Sequence, residues 1–139
     1  MTDQEFQGEL DKCYALIEAV STYSNIKRWK NEMLPFLKTK CTLAMKPWYW
    51  PTKSGFITYA ITIRPYLIWL TDDFFGMLLQ EQAATLVHEA VHIRQYFDGR
   101  LTWFDYIFNK SKRADLEQEA EADAILFRAK WTAYKKENP

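Results

Sequence analysis

Residues 80–99 read QEQAATLVHEAVHIRQYFDG, and this stretch decides the fold. Val87, Ala90, Val91 and Ile93 spread apolar surface nearly all round a helix, which predicts a deeply buried element over about residues 80–98. Asp98-Gly99 marks its end, because glycine accepts the left-handed backbone that terminates helices. Within it stands His88-Glu89-Ala90-Val91-His92, an HExxH pattern. Positions four apart on a helix differ by about 40° in rotation and one turn in height, so both imidazoles can converge on one small cation. Glu89 then lies beside that point, where its carboxylate can take a proton from an activated water. His88 and His92 are the only histidines in 139 residues. Their chance placement at this spacing, with Glu after the first, is on the order of one in a thousand. Two surface or core histidines are the plain alternative; the pattern favours one Zn2+ ion.

Outward from this helix the periodicity changes. Upstream, residues 41–49, 56–63 and 66–71 are rich in β-branched and aromatic side chains and are separated by Pro51-Thr52-Lys53-Ser54-Gly55 and by Pro65. They predict two or three short antiparallel strands, with Trp48, Tyr49 and Trp50 packed beneath or beside them. Further upstream, Phe6, Leu10, Cys13, Ile17 and Val20 recur at helical spacing over about residues 3–23, with Thr2 or Asp3 as cap and Glu5 in the first turn. A second helix over about 25–37 is disturbed by Pro35. Downstream, Thr71, Asp72 and Asp73 can cap a short turn, a short helix covers 102–108, and a last helix runs over about 112–136. The layout is an α+β domain spanning 1–139: N-terminal helices (1–38), a β-hairpin region (41–71), an active-site helix (80–98) and a C-terminal helix (112–136).

Composition narrows the function. Eighteen basic residues balance eighteen acidic ones, so no general attraction draws nucleic acid or an anionic membrane. The region 56–79 is apolar but broken by Arg64, Pro65, Asp72 and Asp73, short of the roughly 20 uninterrupted residues of a membrane helix. The acidic N-terminus lacks the apolar stretch of a signal peptide, and Cys13 and Cys41 make a poor disulfide framework. The expectation is a soluble cytoplasmic protein with neither nucleic acid nor membrane as partner.

A catalytic zinc site needs a third protein ligand, and with no further His it should be a carboxylate. The segment 116–123, LEQEAEAD, offers four. With Glu119 as the zero of rotation, Asp123 lies at about 40°, while Glu117 and Glu121 lie near 160° and 200° with Arg128 and Lys135. That charged stripe reads as the solvated face. Glu119 and Asp123 are then the carboxylates embedded among Leu116, Ala120, Ile125, Leu126, Phe127 and Trp131. Glu119 is expected to bind the metal and Asp123 to accept a hydrogen bond from a ligand imidazole. A salt-bridged helix without a metal role is the alternative. Gln95 shares the metal-facing stripe of the HExxH helix, as an outer partner of the site or as a plain core-edge amide.

HExxH followed, 27 residues after His92, by Glu-x-x-Ala-Asp at 119–123 resembles the gluzincin zinc metallopeptidases. The length and the run HEAVHIRQY look like their smallest single-domain members, the minigluzincin type with its uncharacterised bacterial and phage relatives. The likeness covers about residues 56–130. It implies zinc held by His88, His92 and Glu119, Glu89 as general base and acid, and Asp123 as partner of a ligand histidine. Family members also carry a Tyr, His or Arg that steadies the tetrahedral intermediate; here that role falls among Tyr96, Tyr106, Tyr134 and Arg94.

The implied activity is zinc-assisted hydrolysis of a peptide bond in a peptide or protein substrate. The substrate would lie as an added strand along 66–71 or 56–63. The N-terminal helix reads as scaffold rather than as a latency segment. One rival is a zinc-binding structural or interaction protein without turnover, which the aromatic excess would suit. Another resembles the repressor-cleaving zinc peptidases of mobile elements, whose DNA-binding partner domain has no counterpart here.

Overall fold

A computed structural model describes residues 1–50, 58–64 and 66–139. The turn expected over 51–55, the start of the strand expected over 56–63, and Pro65 lie outside the described residues, as do the side chains of Arg64, Trp103, Tyr106 and Ile107. The chain is α+β, with N-terminal helices, a small mixed sheet, a helix carrying both histidines and a long C-terminal helix.

Helix α1 (Asp3–Ser24) begins with a capping box: the Thr2 hydroxyl accepts from the Glu5 N–H, and the Glu5 carboxylate accepts from the Thr2 N–H. It ends at Asn25, whose φ of 56° is left-handed. Its inward stripe, Leu10, Cys13, Tyr14, Ile17 and Val20, is buried against the rest of the core. Pro35 disturbs the next helix as its sequence predicts. A π-helical turn (Trp29–Met33) runs straight into α2 (Leu34–Thr39), and the proline sits just past this junction, where the wider turn accommodates the N–H it lacks.

Three strands follow, β1 (Thr42–Met45), β2 (Ala60–Arg64) and β3 (Leu67–Leu70). β2 and β3 form the expected antiparallel hairpin, but β3 lies between β1 and β2 and pairs with β1 in parallel. The expectation of a purely antiparallel sheet is therefore corrected. Alternation along a strand tells which face is buried, and it is the same for either direction of pairing. The aromatic cluster also needs correction. Trp50 packs edge-on to Trp69 of β3, whereas Trp48 and Tyr49 are exposed.

Thr71 caps the short α3 (Asp72–Phe75). The central α4 (Leu79–Phe97) is wrapped by α1, β2 and the C-terminal helix, which explains its apolar girth. Gly99, at φ 74°, follows it, and the Gln95 carbonyl accepts from the Arg100 and Leu101 N–H groups. α5 (Trp103–Phe108) leads to α6 (Lys110–Glu137), whose Leu116, Ala120, Ala124 and Phe127 are buried. No helix among the described residues is long and apolar enough to cross a membrane.

Candidate metal centre

Helices α4 and α6 pack side by side, and the site lies in their seam. His88 and His92 present neighbouring rings, 4.9 Å between centroids, from successive turns of α4. Opposite them, Glu117 of α6 reaches both. Its Oε2 lies 3.2 Å from His88 Nε2, and its Oε1 lies 2.8 Å from His92 Nε2. Ligand atoms of these three residues all fall within 4.8 Å of one another.

The donor chemistry fits a divalent metal. Two imidazole nitrogens and one carboxylate oxygen are a normal ligand set for zinc, with room for a fourth position. His92 Nε2 is buried and forms no hydrogen bond of standard geometry; its close polar neighbour is the Glu117 oxygen, 2.8 Å away. A buried polar atom without a partner is costly, and a shared cation would satisfy it. Without one, the cluster holds charge. Burial works against charging both rings, but the Glu117 carboxylate outweighs it, raising His88 and pushing His92 up to about 9. Burial likewise opposes ionisation of Glu117, and the two imidazoles hold it far below the ordinary carboxylate range.

Each imidazole is gripped from behind. His88 Nδ1 lies 3.1 Å from Glu121 Oε2, and Arg128 spans Glu121 and Glu81. His92 Nδ1 lies 2.8 Å from Gln95 Oε1. Glu89 is buried, and its carboxylate accepts from the Thr62 hydroxyl on β2. It is close enough to both histidines to favour their charged forms.

Glu119 is not the carboxylate brought to the histidines. It forms a two-pronged ion pair with Arg100, just beyond α4, at 2.6 and 2.9 Å. Asp123 does not meet either imidazole. It accepts from Arg28 and from the Trp29 indole at the π-turn. The reason is rotational. The buried stripe of α6 has charged residues on both flanks, Glu117 about 65° to one side and Glu119 about 95° to the other. The histidines face the Glu117 flank, the charged stripe expected to be the solvated face. Spacing along the sequence does not choose between the flanks, because Glu117/Glu121 and Glu119/Asp123 are both four apart, as are His88 and His92.

The residues considered for steadying charge on the carbonyl oxygen are scattered. Arg94 is paired with Glu32 and Asp98. Tyr134 packs edge-on to Tyr23, about 25 Å along α6 from Glu117. Tyr96 is half-buried near the end of α4, and the Tyr106 side chain lies outside the described residues. An apolar cavity of about 190 Å³ lined by Phe36, Leu37, Ile93 and Phe97 touches α4 on its far side, away from the histidines. The site opens instead along Glu117 and Glu121, whose side chains are 42% and 49% exposed. No protein-family model, curated protein or solved structure matches this chain.

Proposed function

We propose that the protein is a zinc-dependent peptidase in which His88, His92 and Glu117 hold the metal and Glu89 is the general base. The observation that carries this reading is the convergence of those three side chains, with the buried His92 Nε2 facing the Glu117 carboxylate and Glu89 near both imidazoles. When bound, zinc supplies Lewis acidity, which polarises a carbonyl and acidifies water. Glu89 accepts the proton of the attacking water and returns it to the leaving amine. The Thr62 hydroxyl, donating to Glu89, fixes that carboxylate between α4 and β2.

The substrate lies along β2. β3 is paired on both sides and cannot take a further strand, so the first of the two expected positions is withdrawn. Among the described residues β2 is an edge strand packed against α4, and its Thr62 touches Glu89, so a peptide added there would run past the metal. Tyr96 and Tyr106 remain for the carbonyl oxygen. The substrate class is a peptide or protein, and the cofactor is one zinc ion.

A second reading follows from the ligands' origin in two helices. Metal held by α4 and α6 would staple the seam whether or not turnover occurs. Metal content of protein purified without added metal, for the native chain and His88→Ala, tests the site. Near-stoichiometric zinc lost on substitution supports both readings, and no zinc in the native chain removes both. Peptide-library cleavage by native but not Glu89→Gln protein supports the peptidase. Equal cleavage by the two, or none by either zinc-loaded protein, leaves the staple.

A further inference from the structure

Gln95 is wholly buried, and both ends of its amide are used. Nε2 donates to the Leu116 carbonyl at 2.9 Å, and Oε1 lies 2.8 Å from His92 Nδ1. A carbonyl oxygen can only accept, so the Leu116 contact fixes which way the amide points. Oε1 is therefore the atom presented to His92, and it too can only accept. Nδ1 must carry the proton of this contact, which leaves Nε2 to present its lone pair to a metal ion. That is the buried atom that faces Glu117 Oε1 across the seam.

The second link sets position along the helix. Leu116 directly precedes Glu117, so the bond from Gln95 ties α6 to α4 at the height of the ligand carboxylate. The Gln95 backbone carbonyl, in turn, accepts from Arg100 and Leu101 where the chain turns away from α4. One residue thus touches the end of α4, the back of His92 and the backbone beside Glu117.

We infer that Gln95 is the positioning residue of this metal centre, fixing the His92 tautomer and the register of Glu117 together. The inference rests on a metal ion being held by His88, His92 and Glu117. His88 is held differently, by the half-exposed carboxylate of Glu121, so the two ligands have unlike support. A neutral amide orients His92 without adding negative charge to the buried side of the site.

The test uses the full chain, zinc chloride and Gln95→Met, which keeps length and bulk while removing both hydrogen bonds. Zinc affinity is read by competition with a chromophoric chelator, and folding of the metal-free protein by circular dichroism. Nitrogen-15 NMR of the zinc-loaded native protein reads the ring nitrogens directly. The expected result is His92 ligated through Nε2 with a slowly exchanging Nδ1 proton, and about a 10- to 100-fold loss of zinc affinity in folded Gln95→Met. His92 ligated through Nδ1 overturns the inference, as does a folded variant within twofold of native affinity. Should Gln95→Met not fold, the native NMR pattern decides alone. A native chain that binds no zinc defeats the metal site itself, whereas native binding with an indifferent variant defeats only the role of Gln95.

Discussion

At the residue scale, His92 is the most tightly constrained side chain of the site, with Gln95 behind it, Glu117 before it and little solvent around it. The Glu117 contact lifts its pKa from 6.5 to about 9 in the metal-free protein. The sign follows from linkage. A folded-state pKa above the unfolded one gives stability that is complete below pH 6.5 and fades as pH rises through about 9. Glu117, depressed from 4.5, contributes stability that is complete above that value and fades as pH falls toward its lowered folded-state pKa. The melting temperature of metal-free protein should therefore fall between pH 6.5 and 9. Zinc must displace the imidazole proton, so its affinity should rise over the same interval. Melting curves and chelator titrations at several pH values check both; an affinity flat with pH would contradict the assigned ligands. The thiols behave otherwise. Burial pushes Cys13 up to about 12 and Cys41 to about 11, so both should react slowly with a disulfide reagent at pH 8, Cys13 the slower because it is wholly buried. Rapid titration of both thiols in native protein would count against this core.

At the element scale, α6 is a buried stripe between two charged flanks with different duties. The Glu117–Glu121 flank serves the histidines, and the Glu119–Asp123 flank ties α6 to Arg100 and to the π-turn. The HExxH helix, the caps at Thr2 and Thr71, and the strand-forming segments were legible, because spacing and cap chemistry are local. Which flank of α6 faces α4 was not, because it depends on how the two helices cross, and a single helical wheel does not contain that. Glu119 and Asp123 looked enclosed by apolar neighbours, yet Glu119 is enclosed by a guanidinium and Asp123 by an indole and a guanidinium. The parallel pairing of β1 was hidden for a similar reason. Asp123→Ala should cost about 1.5–3 kcal/mol through loss of charged hydrogen bonds, while zinc affinity stays within about twofold. Denaturant unfolding and chelator competition separate the two effects, and a tenfold loss of zinc affinity would restore Asp123 to the site. Phe127→Ala, emptying the wholly buried ring beside Trp29, should cost about 3–5 kcal/mol.

At the scale of the whole molecule, α1 and the sheet hold α4 from outside while α6 closes the seam. α1 supplies core rather than a removable cover: Leu10, Ile17 and Val20 are almost wholly buried, and Cys13 donates to Gln82 of α4. A metal ion held by both α4 and α6 favours the folded chain, and zinc at a hundred times its dissociation constant should add about 2.7 kcal/mol of stability. The account turns on which carboxylate completes the site. Zinc affinity measured side by side for native protein, Glu117→Ala and Glu119→Ala tests it most directly. The geometry predicts that Glu117→Ala loses at least about a hundredfold while Glu119→Ala stays within a few-fold, losing its exposed pairing with Arg100 and a lesser contact with Gln95. The reverse order, with Glu119→Ala abolishing binding and Glu117→Ala leaving it intact, would contradict the site described.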